Sequence, residues 1–308
     1  MTTKNCISIW ACPVCQAPLK QSIGSECGHT ARKEWHCENS HGFDIAKEGY
    51  TNLLLAHQKN SSDPGDTKTM VASRRAFLSS GHYQPLADKL TEMLNLHLKQ
   101  AASVLDSGCG EGYYLQQLLH QRSDLNLFGI DISRDAAKLA SRELKESRFA
   151  VASSFNLPVL TSSVDAILRV FAPGDDGEVT RVLKPNGVLV VVSPGPRHLF
   201  SLKELIYKEA QKHSPPHQPK GFELLDEQQV IYQLEIQGNS AVKQLLSMTP
   251  LYWKGNRVAK IKLDEAESLS TEVDFLARVY TPMKKTPHQD PEQTPVNHDV
   301  WGQAKIKK

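Results

Sequence analysis

Three closely spaced glycines at the end of an apolar run constrain this chain more than any other feature. Residues 104–112 read Val-Leu-Asp-Ser-Gly-Cys-Gly-Glu-Gly, and the apolar residues at 101–105 predict the end of a buried strand. Residues 113–120 continue at helical spacing. Glycine has no Cβ, so its backbone adopts positive φ and lets a ligand approach the main chain closely. The stretch therefore predicts a strand, a glycine turn and a helix that bind a nucleotide-type ligand.

The spacing of the glycines distinguishes between two such ligands. A dinucleotide site requires Gly-x-Gly-x-x-Gly, whereas the third glycine here comes one residue early and Tyr113 stands in its place. Gly-x-Gly-x-Gly after an acidic residue, here Asp106, is typical of S-adenosylmethionine (SAM)-dependent methyltransferases. Asp131 ends the next apolar run, where a carboxylate can accept hydrogen bonds from ribose hydroxyls. We interpret the turn as a SAM site.

Residues 101–194 alternate between apolar runs and segments of helical period, an order that builds a parallel sheet. The predicted strands are 102–106, 126–131, 148–153, 164–170 and 187–193, and the helices between them begin near Gly112, Ser133 and Asp175. Ligands of such sheets bind at the carboxyl ends of the strands. The sequence therefore predicts one crevice lined by Asp106, Gly108, Asp131, Ser153 and the segment Phe171 to Pro173.

Further elements flank this α/β unit. The predicted helices span 67–79, 86–98, 199–213 and 240–248, and two antiparallel strands span 222–236 and 272–280. Arg74 and Arg75 are expected to face outward on the first of these helices. His198 follows a Pro-Gly-Pro turn, which sets the next helix close to the crevice.

Five of the six cysteines lie within the first 37 residues, which in a reducing compartment predicts a metal site. Cys12-Pro-Val-Cys15 is followed after 21 residues by Cys37-Glu-Asn-Ser-His41, and two such pairs can supply four ligands to tetrahedral zinc. The intervening segment also offers metal ligands, namely Cys27, His29 and His36, and Cys27-Gly-His29 is the main alternative pair.

The net charge and the lengths of the apolar runs limit which partners and which location the chain can have. A net charge of +2 gives no bulk attraction to nucleic acid, so such a partner requires a local basic surface. The apolar run 188–192 is too short to cross a bilayer, and no segment near Met1 resembles a signal peptide. We expect a cytoplasmic protein with no membrane partner.

The chain is predicted to divide into a zinc-binding module at 1–45, a linker with helices over the cofactor site at 46–100, a methyltransferase domain at 101–281 and a disordered tail at 282–308.

With these motifs in place, the chain resembles the RlmA-type 23S rRNA guanine-N1-methyltransferases from Cys12 to about Tyr280. The most specific shared segments are Ala-Lys-Glu-Gly-Tyr50, Asp63-Pro-Gly-Asp66, Arg-Arg-Ala-Phe77, Gly-His-Tyr-Gln-Pro85, Gly-Cys-Gly-Glu-Gly-Tyr-Tyr114 and Pro-Gly-Pro-Arg-His198. The resemblance implies a Rossmann-like class I methyltransferase fold that uses SAM and zinc and acts on 23S ribosomal RNA. It also implies zinc ligation by Cys12, Cys15, Cys37 and His41, and cofactor contacts by Tyr83, Gly110, Glu111 and His198.

The implied reaction transfers the SAM methyl group to N1 of a guanine. The N1 proton must leave, and the candidates to accept it are Asp175, Asp176 and His198, among which the sequence does not select. Because N1 lies on the Watson–Crick edge, the base must be unpaired or flipped, and Phe171, Tyr83 and Tyr114 are candidates to stack on it. The candidate phosphate contacts are Lys20, Arg32, Lys33, Arg74 and Arg75.

This chain departs from the family at the rim of the pocket, and one alternative function stays open at this stage. Members of the family have a cysteine after the Ala-Pro of the fourth strand, whereas this chain has Gly174 followed by Asp175 and Asp176. An enzyme of the same fold that methylates a small molecule or a protein is the alternative. The resemblance further implies a homodimer, and it does not indicate which guanine is modified.

Overall fold

A computed structural model describes residues 8–22, 33–59, 64–207, 209–249, 261 and 263–283 of the chain. The first described element is a small antiparallel sheet in the order β1-β2-β3. Its strands are Lys20–Ser22, Glu34–His36 and Gly42–Asp44. The turn between β2 and β3 is closed by the amide of Cys37, which donates to the His41 carbonyl at 3.1 Å. One of the two sequence-predicted metal pairs therefore precedes β1, and the other lies in the turn between β2 and β3.

An eight-stranded sheet forms the centre of the molecule, in the order β10-β11-β9-β8-β5-β6-β7-β4. Its strands are β4 Thr51–Asn52, β5 Ser103–Ser107, β6 Asn126–Asp131, β7 Arg148–Val151, β8 Val164–Val170, β9 Leu183–Pro194, β10 Phe222–Gln237 and β11 Ser268–Pro282. Strands β4 to β9 pair in parallel, and β11 and β10 are antiparallel. The chain goes to one side of β5 through β6 and β7 and to the other through β8 and β9. A crevice opens where the order reverses.

Seven α-helices connect or cover the strands in the described residues. They are α1 Lys68–Ser79, α2 Gln84–Asn95, α3 Tyr113–Gln121, α4 Arg134–Glu143, α5 Asp176–Val182, α6 Phe200–Ile206 and α7 Asn239–Ser247. The predicted class I methyltransferase fold with a small amino-terminal module is confirmed, including the two antiparallel strands. The Thr67 hydroxyl caps α1 by accepting from the Met70 amide at 3.3 Å.

Two sequence-based expectations, the length of the helix predicted over 199–213 and an N-cap at Ser133, differ from the structure. The helix predicted over 199–213 ends at Ile206, because the following segment folds back and the His213 amide donates to the Pro196 carbonyl at 3.0 Å. Ser133 precedes α4 but provides no side-chain cap; its hydroxyl donates instead to the Asp66 carbonyl at 3.0 Å. The predicted tail lies, from residue 284, outside the described residues.

The amino-terminal module and the large sheet share one hydrophobic cluster. Trp10, which is 1% exposed, packs edge-on against Phe128 of β6 with ring centroids 5.7 Å apart. Backbone hydrogen bonds tie the same segment to the loop after β7, from Ala11 to Pro158 and from Leu160 to Ile9. One face of the sheet is thus covered by the zinc module together with α5, and the other by the remaining helices. None of the helices described is long and apolar enough to cross a membrane.

Replacing Trp10 with Ala should destabilise the whole protein rather than the module alone. Removing a fully buried tryptophan costs about 3–5 kcal/mol, because the transfer energy is lost and a cavity remains. Urea denaturation followed by circular dichroism measures the change. Val14→Ala is the control, since Val14 is 54% exposed and its truncation should change the free energy of unfolding by less than about 0.5 kcal/mol. A loss below about 1 kcal/mol for Trp10→Ala would contradict the shared core.

Candidate active site and zinc centre

The glycine turn follows β5 in the conformation that its composition predicts. Gly108, Gly110 and Gly112 have φ values of 88°, 55° and 87°, all in the left-handed region. A Cβ on Gly108 would lie 2.4 Å from the Cβ of Ala172, so only glycine allows the turn to approach the end of β8. A Cβ on Gly112 would lie 3.2 Å from Ala140, on α4. The turn therefore sits between the end of β8 and α4, and the amides of Gly108 and Cys109 both donate to the Ile130 carbonyl at 2.9 Å.

The carboxylate of Asp131 holds this turn in place. Its Oδ2 accepts from the Gly110 amide at 2.9 Å, and its Oδ1 accepts from the Ser133 amide at 2.7 Å. Burial raises the pKa of Asp131, and these two amides oppose the rise by stabilising the charged form. Asp131 also lines the cavity beside the turn, where the sequence predicts the ribose contact.

A cavity of about 1140 Å³ opens at the carboxyl ends of the strands. Its lining includes seven of the eight residues predicted to contact the cofactor, together with Phe171: Tyr83, Gly108, Gly110, Glu111, Asp131, Ser153 and His198. Asp106 is not part of the lining. It lies in β5 beneath the turn and is 1% exposed.

The end of the cavity beside the glycine turn is acidic. The carboxylate oxygens of Asp106 and of Glu111 are buried and have no hydrogen-bond partner among the described residues. Burial raises the pKa of both groups, and neighbouring carboxylates add to the effect. Buried acceptors without partners fit a ligand that brings donors and positive charge, as the amino group and sulfonium of SAM do. These residues therefore fit SAM.

Arg74 does not face outward as expected, whereas the Arg75 side chain is 41% exposed. Arg74 lines the cavity and forms an ion pair with Asp66, which also lines it. Arg75 forms an ion pair with Glu143 on α4. Both guanidinium groups therefore have carboxylate partners within the protein. Helical periodicity could not show this, because Asp66 and Glu143 come from other segments of the chain.

His198 is held as a neutral imidazole. The Asp274 amide donates to its Nδ1 at 3.3 Å, which leaves the ring proton on Nε2. Burial is the largest of the causes that lower the pKa of His198 to about 3, and the nearby His213 and Lys203 lower it further. The Asp274 carboxylate braces the preceding turn by accepting from the Arg197 amide at 2.9 Å. His198 is thus arranged to donate a hydrogen bond from Nε2 and is a weak base at neutral pH.

The remaining candidates for the chemistry differ in position. Phe171 is 45% exposed, lines the cavity and has a φ of 52°, a left-handed conformation that is costly for a residue other than glycine. Asp175 caps α5 by accepting from the Glu178 amide at 2.8 Å. Asp176 accepts from Arg169 at 3.3 Å and from the Lys220 amide at 2.9 Å. Neither aspartate is among the lining residues, and both have structural partners.

Several residues at the cavity were not singled out from the sequence. Phe155, which is 59% exposed, follows β7, and Lys203 and His213 lie on α6 and on the loop after it. Nothing in their local sequence marks them. The loop reaches the cavity through tertiary contacts, including a hydrogen bond from Lys203 Nζ to the Gln211 carbonyl at 3.1 Å.

The four metal ligands predicted from the spacing meet in the amino-terminal module. The thiolate and imidazole atoms of Cys12, Cys15, Cys37 and His41 all lie within 4.8 Å of one another. The Sγ atoms of Cys15 and Cys37 are 3.7 Å apart, and His41 Nδ1 lies 3.4 Å from Cys37 Sγ and 3.6 Å from Cys12 Sγ. Tetrahedral zinc with bonds of about 2.3 Å to sulfur and about 2.0 Å to nitrogen requires separations of about 3.8 Å and about 3.5 Å. The cluster therefore fits zinc, with Nδ1 as the imidazole ligand.

The alternative ligands have different outcomes. Cys27 and His29 lie outside the described residues. His36 is described and is not part of the cluster, and its buried Nδ1 has no hydrogen-bond partner among the described residues.

The purified protein should contain one equivalent of zinc, which Cys37→Ser should remove because it takes away a thiolate ligand. The measurement is metal content by mass spectrometry after dialysis. His36→Ala is the matched control, since it removes a neighbouring imidazole outside the cluster and should leave the zinc in place. Loss of zinc from His36→Ala with retention in Cys37→Ser would contradict the ligand set.

The pKa of His198 predicts a pH-dependent stability. The pKa of His198 is about 3 in the folded protein, against an ordinary value of 6.5. At pH values between these two, the unfolded state binds one more proton than the folded state, so the free energy of unfolding falls as the pH falls. From pH 7 to pH 5.5 the loss due to this group is about 1 kcal/mol. Urea denaturation at both pH values should show a smaller loss in His198→Gln than in the wild type. His120→Gln, which alters an exposed histidine, should keep the wild-type loss, and an equal loss in all three proteins would refute the assignment.

Comparison with known proteins places this architecture in a family. Residues 10–62 match the zinc ribbon family described as RlmA, N-terminal, and residues 98–247 match a methyltransferase domain. The chain is 33% identical over 262 residues to the 23S rRNA (guanine(748)-N(1))-methyltransferase of Streptomyces fradiae, covering 81% of this chain and 88% of the relative. It is 28% identical over 294 residues to YxjB of Bacillus subtilis, covering 87% and 96%.

Among solved structures, YcgJ of Bacillus subtilis is similar with a TM-score of 0.41 and 16% identity, covering 62% of this chain and 97% of that one. One chain thus contains both the zinc ribbon and the methyltransferase domain. Its identity to the Streptomyces enzyme extends over 81% of this chain and 88% of that enzyme. The protein is a SAM-dependent methyltransferase with a zinc-binding module, and it belongs to the RlmA-type family of 23S rRNA (guanine-N1)-methyltransferases.

Proposed function

We propose that the protein transfers the methyl group of SAM to N1 of a guanine in 23S ribosomal RNA. The observation that carries the substrate is the 33% identity, across 88% of its length, to an enzyme named for this reaction. The cavity supports the cofactor, since its acidic end and glycine turn suit SAM. The chain also carries an RlmA-type zinc ribbon, which sets it apart from methyltransferases that consist of the methyltransferase domain alone.

The proposed cofactor contacts follow the geometry of the cavity. Asp131 would accept from the ribose hydroxyls, and the turn around Gly108 and Gly110 would lie against the methionine part. Glu111 would face the positive charge of the cofactor, with Asp106 adding to the field from beneath. The other proposed contacts are Tyr83, Ser153 and His198.

Bound SAM supplies a methyl group already activated by the sulfonium charge. The residues of the chain then have to orient the acceptor nitrogen and exclude water, and orientation of this kind can contribute on the order of 7 kcal/mol or more. Phe171, exposed at the cavity with its backbone fixed in an uncommon conformation, is the proposed stacking surface for a flipped base. We do not assign a general base to His198, because its proton lies on Nε2 and its pKa is low.

The zinc module is the proposed contact to the RNA backbone. Lys20 and Lys33 are exposed on it and remain the candidates for phosphate binding, whereas Arg74 and Arg75 are engaged with carboxylates. Arg32 lies outside the described residues. In this scheme residues 1–45 recognise RNA, 46–100 cover the cofactor and 101–281 carry the methyltransferase domain. A cytoplasmic location follows from a ribosomal substrate, and the family resemblance supports a homodimer.

Incubating the protein with labelled SAM and unmodified 23S rRNA should place label at N1 of one guanine. Mapping by reverse transcription and nucleoside mass spectrometry identifies the position. Asp131→Ala should weaken SAM binding about 10- to 100-fold, because a hydrogen bond to a charged group contributes about 1.5–3 kcal/mol. Asp135→Ala is the matched control, since Asp135 lies on the first turn of α4 outside the lining. Label in a small molecule or protein and none in RNA would overturn the proposed substrate.

A further inference from the structure

The lining of the cavity has carboxylates at one end and a lysine with two histidines at the other; Glu209 and Lys212, both exposed, also line it. Asp66, Glu111 and Asp131 line the end beside the glycine turn, whereas His198, Lys203 and His213 lie together at the other end. The ring centroids of His198 and His213 are 6.1 Å apart. Burial is the largest cause that lowers the pKa of both histidines, and the charge of Lys203 lowers both pKa values further. At about 1140 Å³ the cavity exceeds the range of about 300–1,000 Å³ that is usual for one drug-sized ligand. It therefore has room for an acceptor beside the cofactor.

Lys203 is a buried cation at this second end. It is 8% exposed, and its Nζ donates to the Gln211 carbonyl at 3.1 Å. No ion pair includes Lys203 in the part of the chain that the structure describes; the nearby Glu209 and Lys212 are exposed. An ammonium group has three donors, so two remain for a ligand. Burying a cation without a partner is costly, which indicates that a ligand completes its interactions.

His213 offers a second unfilled position. Its Nε2 is buried and has no hydrogen-bond partner among the described residues, while its amide is anchored to the Pro196 carbonyl at 3.0 Å. Phe171 lies on the same side, since its ring is 5.6 Å from that of His198. An aromatic face and two unfilled polar groups thus converge at the basic end. A planar ring whose edge carries acceptor atoms matches this arrangement.

We propose that this end of the cavity is the acceptor pocket, in which Lys203 binds O6 of the target guanine and His213 contacts the same edge of the base. The inference rests on the proposed function and deepens it. Guanine presents O6 and N7 as acceptors on one edge, and N1 adjoins O6. The end beside the glycine turn would then hold the cofactor, Lys203 and His213 would hold the base, and His198 would lie between the two ligands.

Lys203 stabilises the charge that develops during transfer. As the N1–H bond breaks, its proton passes to solvent and its electron pair is shared between N1 and O6. The N1 pair then bonds to the methyl carbon, and the pair of the breaking carbon–sulfur bond stays on sulfur, which becomes a neutral thioether. A fixed cation at O6 stabilises the anionic base more than the neutral one, so it accelerates the step. Lys203 is therefore assigned as a catalytic residue and His213 as a specificity contact.

Lys203→Met tests the assignment. Single-turnover methylation at saturating SAM should fall about 100-fold, the loss typical for removal of one oxyanion donor, while the SAM dissociation constant measured by calorimetry changes less than about threefold. Lys243→Met, an exposed lysine on α7 outside the lining, is the control and should match the wild type. Lys203→Gln repeats the test with a polar side chain, and thermal melting verifies that the variants fold.

A guanine analogue locates the contact. In an RNA fragment that carries 6-thioguanosine at the methylated position, sulfur replaces O6 and weakens the hydrogen bond. Replacing O6 with sulfur should slow the wild type more than it slows Lys203→Met, because only the wild type has the Lys203 hydrogen bond to lose. The changed acidity of the base affects both enzymes equally and cancels when the two rate losses are compared. Equal losses would overturn the contact to O6.

The outcomes separate this inference from the proposed function. A wild type that does not label RNA overturns both. If the wild type labels RNA and Lys203→Met labels it equally well, only the acceptor pocket is overturned. If Lys203→Met weakens SAM binding in proportion and recovers its rate at saturating SAM, Lys203 binds the cofactor carboxylate instead of the base.

Discussion

The carboxylate of Asp131 connects the three parts of the active site. One oxygen holds the amide of Gly110 in the turn after β5, and the other holds the amide of Ser133 before α4. Both bonds are made in a buried position, where an unsatisfied carboxylate would be costly. The tip of β6, the glycine turn and the start of α4 are thereby fixed relative to one another. The walls of the cavity at its acidic end depend on this arrangement.

The second structural constraint is the packing of the zinc module against the sheet. Trp10 is buried against Phe128, and backbone hydrogen bonds join the same segment to the loop that follows β7. Zinc ligands that precede β1 and that lie in the turn between β2 and β3 hold the module together. A module fixed in this way presents Lys20 and Lys33 in a defined position relative to the domain.

Local patterns predicted the glycine turn, the positions of the strands and the zinc ligands, because each depends on residues close in sequence or on the period of an element. They did not predict the basic end of the cavity. Lys203 and His213 reach it because the chain leaves α6 at Ile206 and folds back across the turn at Pro196, a tertiary event without a local signal. Arg74 was misplaced for a similar reason, since its partner Asp66 precedes the helix. Asp106 was expected in the crevice and lies beneath it, because the turn that follows it covers it.

A crystal structure with S-adenosylhomocysteine and the methylated RNA hairpin tests the division of the cavity most directly. The account predicts the ribose on Asp131, the flipped guanine against Phe171 and its O6 within about 3 Å of Lys203 Nζ. A cofactor carboxylate seated on Lys203, with the guanine elsewhere, would contradict it.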